Sequence, residues 1–204
     1  MVLLDYFKGK EILDKYGIRS VDSSYVSSAK DASEFSGSDT VVLKLISSKA
    51  LHKSKSGLVK LDLRGAEVER AYEELCRKGK PLKPYNIIAQ KMAKGGIEII
   101  IGGRTDPQFG KLILLGLGGI YVEVFKDFAL RVCPITKNDA VDMINQLKSR
   151  DVITFKGKNT KMLVKLLLSV SKLLVENKSI RELDLNPLIV KESSYEAVDI
   201  RMIT

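Results

Sequence analysis

The chain's one imidazole, His52, lies in Ala50-Leu51-His52-Lys53-Ser54, shortly after the strand-like run Val41-Val42-Leu43-Lys44-Leu45-Ile46. Neutral imidazole is a good nucleophile near pH 7, and the ammonium groups of Lys44 and Lys53 suit an incoming phosphoryl group. A lone histidine also has an ordinary reading as a satisfied core or surface residue. What the rest of the chain supplies decides between the two.

Oxygen donors come next. In Arg181-Glu182-Leu183-Asp184-Leu185-Asn186-Pro187, strand alternation turns Glu182, Asp184 and Asn186 to one face and Leu183 and Leu185 to the other. Three oxygen-bearing side chains in a row suit a hard cation such as Mg2+; the competing reading is an acidic edge strand that discourages pairing. Pro187 is expected to stop the ladder. Asp199, flanked by Val198 and Ile200 in a last strand, adds a carboxylate if that strand pairs beside the first. Gly116-Leu117-Gly118-Gly119 lets backbone approach a ligand closely and aim N–H groups at phosphate oxygens, or else forms a hairpin turn with a bulge. It fits neither the Walker nor the Rossmann fingerprint. Glu123 alternates with Val122 and Val124 and so faces away from them. Gln90-Lys91-Met92 can offer backbone groups to an adenine edge, and Glu98 a carboxylate to ribose hydroxyls, although spacing alone does not establish either.

These residues need elements to hold them. Residues 1–17 read as a short helix closed by Gly17, and 23–37 as a polar, weakly helical stretch. Residues 41–46 form a strand, and Val59, Leu61 and Leu63 alternate as a second. Residues 66–78 have helical spacing, with Gly79 as the stop. Lys80-Pro81-Leu82-Lys83-Pro84 breaks the pattern and marks the expected lobe boundary, giving 1–84 and 85–204. Strands follow at 87–92, 97–102, 111–115, 121–125 and 130–135, a succession that favours an antiparallel meander. Thr136-Lys137-Asn138-Asp139 has the form of a capping box ahead of a helix through 147. Residues 161–175 show the clearest helical stripe, and strands at 180–190 and 197–203 end the chain. The class is α+β.

Composition narrows the function. The 204 residues, 45% hydrophobic and 29% charged, describe an ordinary globular protein. No apolar run is long enough for a membrane span, and the N-terminus lacks a signal-peptide pattern. Cys76 and Cys133 match no metal or redox spacing, so a cytoplasmic location is expected. The net charge of +9 fits a nucleotide or coenzyme A site, or an acidic partner subunit. The lysines are scattered, aromatics make up 6%, and no nucleic-acid motif is present, so no nucleic-acid role is expected.

Six segments carry a resemblance. Val41-Val42-Leu43-Lys44, Leu51-His52-Lys53-Ser54, Asp106-Pro107-Gln108-Phe109-Gly110, Gly116-Leu117-Gly118-Gly119-Ile120-Tyr121-Val122-Glu123-Val124, Glu182-Leu183-Asp184-Leu185-Asn186-Pro187-Leu188 and Ala197-Val198-Asp199-Ile200-Arg201 occur in one family's order. Together they resemble the β subunit of ADP-forming acetyl-CoA synthetase (acetate–CoA ligase), a relative of the succinyl-CoA ligase β subunit, across residues 3–203. The resemblance implies an ATP-grasp fold, two α+β lobes clasping a nucleotide. It implies an enzyme that interconverts a carboxylate, CoA and ATP with acyl-CoA, ADP and phosphate. Carried over, His52 relays phosphate between the nucleotide and a histidine on a separate α subunit, and Lys44 binds phosphate. Gln90, Lys91, Met92 and Glu98 fall in the adenine- and ribose-binding segments. Lys53, Gly57, Gly118, Gly119 and Glu123 complete the nucleotide set, and Asp184, Asn186 and Asp199 fall in the Mg2+-binding strands. The resemblance implies a heterotetramer of two α and two β subunits; 204 residues are too few to hold the CoA-binding and carboxylate-activating domains as well, so these are expected on the separate α subunit.

Two departures stand out. After Ser54 the family usually has Asp, a variable residue and two glycines, whereas this chain has Lys55, Ser56, Gly57 and Leu58. Leu58 is expected to deny the loop glycine's freedom at positive φ. The loop at 156–159 is short and lacks the family's usual Arg-Gly. The rival readings are a succinyl-CoA ligase type β subunit and a degenerate, regulatory ATP-grasp module that binds nucleotide without transferring phosphate.

Overall fold

A computed structural model describes residues 2–47, 49, 57–119 and 127–204. The chain divides into two compact units, residues 21–93 and residues 1–20 with 94–204. The division falls at 20/21 and 93/94, not at 84/85, for reasons that strand pairing makes plain.

In residues 21–93, β1 (Ser23–Val26), α1 (Ala29–Ser36), β2 (Val41–Ile46), β3 (Val59–Leu63), α2 (Ala66–Gly79) and β4 (Asn86–Lys91) follow in order. The four strands make an antiparallel sheet in the order β1-β4-β2-β3. The strand expected to open a meander, β4, instead lies between β1 and β2, so it belongs with the strands that precede it. Residues 80–82 are a 3-10 turn inside this unit. The polar stretch after residue 22 holds a strand that local pattern did not show: Ser23-Ser24-Tyr25-Val26 is extended because β4 pairs with it. Ser28 then caps α1 by accepting from the Asp31 N–H at 3.0 Å. Val41, Leu43, Leu45, Ile87 and Ala89 share one sheet face with Ala32, Val68, Ala71 and Leu75 of the helices. That buried cluster is the unit's core.

The larger unit starts with a helix, α0 (Tyr6–Lys15), capped by Asp5. Backbone bonds tie this end to the chain's other terminus, Val2 N–H to Thr204 O at 2.8 Å and Leu4 N–H to Met202 O at 2.9 Å. The N-terminal helix therefore belongs with the C-terminal residues and not with the lobe that follows it in sequence. Strands β5 (Ile97–Asp106), β6 (Gly110–Leu117), β7 (Phe128–Val132), β8 (Glu182–Val190) and β10 (Arg201–Ile203) form a sheet in the order β10-β8-β5-β6-β7, with β9 (Tyr195–Ala197) also on β8. Helices α3 (Lys137–Gln146), α4 (Arg150–Ile153) and α5 (Thr160–Glu176) fall between β7 and β8. The capping box at Thr136 and Asp139 forms as the sequence predicts. On α5, Leu163, Leu166, Leu167, Val170 and Leu174 are buried, and Leu174 packs so close to Gly103 that a Cβ there would lie 2.5 Å from it. The inner sheet face, with Ile99, Ile101, Ile113, Leu115, Leu183 and Leu185, is fully buried. The expected strand at 121–125 lies outside the described residues. Among the described residues no helix is long and apolar enough to cross a membrane.

Candidate functional site

The sheet of residues 21–93 sorts its side chains by face. Val42 pairs with Gln90 and Lys44 with Ile88, so these four share the face opposite the helix-packed core. Lys44 is 5% exposed and Gln90 1%, an ammonium and an amide held within otherwise apolar strands. The neighbouring residues are engaged by the fold. The Lys91 N–H donates to Asp22 O and the Met92 N–H to Thr40 O, both at 2.9 Å. The Lys91 ammonium caps the C-terminal end of α1, reaching Phe35 O at 2.8 Å and Ser36 O at 3.1 Å, and pairs with Asp39 at 2.9 Å. What Lys91 and Met92 can offer a nucleotide base is therefore carbonyl oxygen, not N–H or the lysine side chain.

At the stem of the His52 segment, Gly57 adopts φ +64, a conformation that favours glycine. Leu58 is 2% exposed and lies in the core cluster with Leu45 and Leu75. Leu58, where the family usually has glycine, is not among the residues at positive φ; its side chain packs inward, and Leu45 N–H donates to its carbonyl at 2.9 Å. His52 and Lys53 lie outside the described residues, as does Glu123.

In the larger unit, β8 is not an edge strand. Asp184 sits opposite Gly102 of β5 on one side and Arg201 of β10 on the other. Ile99 pairs with Leu188 and Ile101 with Leu185, so Asn186 and Pro187 together oppose Ile100 as a bulge. Pro187 thus does not end the strand: a bulge accommodates the residue without an N–H, and pairing resumes through Val190. Asp199 is not within a strand either. It lies in the break between β9 and β10, where the Val198 and Asp199 N–H groups approach Pro187 O at 3.0 and 3.4 Å. That contact brings Asp199 beside Asn186 and Pro187.

Burial of the Asp184 carboxyl pushes its pKa above the ordinary value, and the nearby charges of Asp199 and Glu182 push the same way, against Arg201. A cation would relieve this crowding of negative charge. No group of three or more His, Cys, Asp or Glu side chains suited to a metal is found among the described residues. A divalent ion here would need the Asn186 amide oxygen and ligand oxygens as well as Asp184 and Asp199. This fits Mg2+, which is usually held by one or two carboxylates plus phosphates and water.

Glu98 is exposed and neighbours the glycine turn. The Gly118 N–H donates to Glu98 O at 2.7 Å, and a Cβ on Gly118 would fall 2.8 Å from the Glu98 carbonyl carbon. Gly119 has φ +73, and a Cβ there would lie 2.8 Å from Glu98 Oε2. The Gly118 N–H is thus used by a strand neighbour and does not point at a phosphate. Its lack of a side chain serves the close approach to β5. The Asp106 motif is a hairpin turn, its carboxylate accepting from Gln108 and Phe109 N–H at 2.8 and 3.0 Å. Beyond Asp184 the same face forms a groove of about 450 Å³ whose lining includes Ile100, Leu114, Leu130, Arg104 and Arg201. Arg104 and Arg201 join this face through pairing with Glu182 and Asp184, a relation that single-strand patterns do not show.

Residues 2–204 match the ATP-grasp domain family. The chain is 37% identical over 207 residues to the acetate–CoA ligase [ADP-forming] I subunit beta of Pyrococcus furiosus, covering 96% of this chain and 89% of that one. It is also 37% identical to acetate–CoA ligase [ADP-forming] I of Archaeoglobus fulgidus, where 96% of this chain spans only 30% of that protein. A structure of dinucleotide-forming acetyl-coenzyme A synthetase 1 from Ca. Korarchaeum cryptofilum, with coenzyme A and Ca-AMPCP, superposes with TM-score 0.90 at 36% identity, covering 98% of this chain and 93% of that one. Another structure of that enzyme, with coenzyme A and Mg-AMPPCP, has its phosphohistidine segment pointing towards the nucleotide binding site. It matches with TM-score 0.84 at 35% identity over 98% of this chain and 92% of that one. The chain belongs to the ATP-grasp domain family, in the branch that holds the β subunits of ADP-forming acetate–CoA ligases.

Proposed function

We propose that this chain is the nucleotide-binding β subunit of a cytoplasmic ADP-forming acyl-CoA synthetase. It works with a separate α subunit that binds CoA and activates the carboxylate, in an assembly of two α and two β subunits. ATP or ADP is the nucleotide. Lys44 holds its phosphates with Lys53 and the Gly57 turn. The backbone of Gln90, Lys91 and Met92 meets the base, and Glu98 the ribose, with Gly118, Gly119 and Glu123 beside it. Asp184, Asn186 and Asp199 would hold Mg2+, which supplies neutralising charge to the phosphate oxygens.

The chemistry assigned to the chain is a phosphoryl relay. A His52 ring nitrogen attacks the γ-phosphorus, the bond to the β–γ bridging oxygen breaks, and ADP leaves with that electron pair. Phosphohistidine then passes its phosphoryl group to a histidine of the α subunit. Run through, the cycle converts carboxylate, CoA and ATP into acyl-CoA, ADP and phosphate, or the reverse. The observation that carries this reading is the β8 bulge. It sets Pro187 O, next to Asn186, against the Val198 and Asp199 N–H groups, on a strand whose Asp184 carboxyl is perturbed by burial and by the neighbouring negative charge.

The test is labelling with γ-labelled ATP and Mg2+, with and without the α subunit. Acid-labile, alkali-stable phosphate is expected on the chain. His52→Ala should abolish both that label and acyl-CoA formation while leaving nucleotide affinity largely intact. No second imidazole can substitute, because the chain has one histidine. Full turnover by a His52→Ala complex would rule out the relay and move the protein to a regulatory role.

A further inference from the structure

Two consecutive glycines in β5 are small for different reasons. Gly103 faces α5, where a Cβ would lie 2.5 Å from Leu174, so packing forbids a side chain. Gly102 faces the other way, and no such constraint applies. Its φ lies outside the left-handed region, and a Cβ there would meet only Leu114 at 3.7 Å and Leu183 O at 3.8 Å, ordinary contact distances. Glycine inside a strand weakens it. One that neither backbone nor packing requires marks a place where something else approaches the sheet.

The cross-strand row through Gly102 shows what that place offers. It runs Leu130, Leu114, Gly102, Asp184 and Arg201 over five strands. The missing side chain leaves open the floor of the groove of about 450 Å³, a size in the range of small-molecule sites. One wall is apolar, from Leu114 and Leu130. The other carries Arg201 and, from the next row, Arg104. Arg104 lies opposite Glu182 and Arg201 opposite Asp184, yet among the described residues neither guanidinium closes a hydrogen bond or an ion pair. Planar guanidinium donors left unused in a groove suit the oxygens of a phosphate group.

We infer that this groove is a second phosphate subsite, which takes a phosphate group on a partly apolar carrier. The phosphoryl oxygens meet Arg104 and Arg201, and the carrier lies over Gly102 against Leu114 and Leu130. Along β5 the groove is farther from Glu98 than Asn186 is, since Asn186 opposes Ile100 and the groove centres on Gly102. The inference rests on the proposed reaction, in which phosphate passes between the nucleotide and a carrier outside this chain. It gives that carried phosphate a place on residues that the nucleotide set does not use.

The experiment titrates phenyl phosphate into the full chain saturated with ADP and Mg2+, with calorimetry as the readout. Phenyl phosphate should bind. Inorganic phosphate, which lacks the apolar part, should bind at least about tenfold more weakly. Arg104→Gln and Arg201→Gln should each weaken phenyl phosphate by about tenfold or more, as loss of a hydrogen bond to a charged group does. Gly102→Ala should weaken it by at least about fivefold, because the methyl group takes space on the floor. The same variant should raise the thermal midpoint by about 1–4 °C, since alanine suits a strand interior better than glycine. Affinity for ADP should stay within about twofold of the parent in all three variants.

Phenyl phosphate that fails to bind a chain holding ADP overturns the inference and leaves the nucleotide site standing. So does phenyl phosphate that binds only the nucleotide-free chain, because the groove is then part of the nucleotide's own site. Equal affinity for the two probes assigns the site to free phosphate and overturns the carrier. Unchanged affinity in the folded arginine variants, or a lowered midpoint in Gly102→Ala, likewise overturns it. A parent chain that binds no ADP with Mg2+ defeats the proposed function itself, an outcome separate from all of these.

Discussion

The two sheets hold their polar residues in opposite ways. In residues 21–93, β2 is closed on both faces: Leu43 and Leu45 enter the helix-packed core, while Val42 and Lys44 on the reverse face are also buried. In the larger unit, β8 alternates openly, with Leu183 and Leu185 inward and Glu182, Asp184 and Asn186 on a face that keeps access to solvent. Burying a lysine amine is expensive in free energy, so the placement of Lys44 is one that the whole strand has to support. A row of two carboxylates and an amide that keeps access to solvent costs less. The buried lysine and the open acidic face thus fall in different units.

The largest effect should come from the closed sheet. Lys44→Met preserves length and apolar contact but removes the charge, and turnover should fall by about a thousandfold, in the range seen when one preorganised donor to a developing charge is lost. Near-normal turnover in a folded Lys44→Met protein would mean that the buried cation serves stability only. The same unit offers a control on packing. Leu58→Ala should cost about 3 kcal/mol in urea unfolding, whereas Leu61→Ala, at a residue 60% exposed, should cost under about 0.5 kcal/mol. Equal costs would contradict the placement of Leu58 in the core.

The open face should respond more gently. Asn186→Ala and Asp199→Ala should raise the Mg2+ concentration needed for half-maximal turnover by about tenfold, with the thermal midpoint little changed. If both keep the parental Mg2+ dependence, the row is a polar face and nothing more. The smallest effect concerns Asp184. Because the fold raises its pKa, its contribution to stability is greatest below the unfolded carboxylate pKa and is lost as pH rises through the folded value. Asp184→Asn should therefore stabilise the metal-free chain near neutral pH. Partial solvent screening limits the gain to about 0.5 kcal/mol, and it should shrink as pH falls toward the ordinary carboxylate range. A gain that persists in acid would trace to packing rather than charge.

Local pattern alone set out several elements: the Thr136–Asp139 capping box, the buried stripe of α5, the strand at 41–46 and the alternation of Glu182, Asp184 and Asn186. Each depends on a helical or strand period, or on a cap within one turn, and those are properties of neighbouring residues. The family order of six short segments went further and pointed to the ATP-grasp class. Only the tertiary structure decided that β4 joins β1 and β2, that the N-terminal helix belongs with the C-terminal strands, and that Leu58 is a core residue. It also decided that the Val198 and Asp199 N–H groups meet Pro187 O at a bulge, and that the N–H groups of Gly118, Lys91 and Met92 are engaged by strand and loop neighbours. Which strand a segment pairs with depends on registers between residues far apart in the chain, and a backbone N–H is known to be available only once its partner is known.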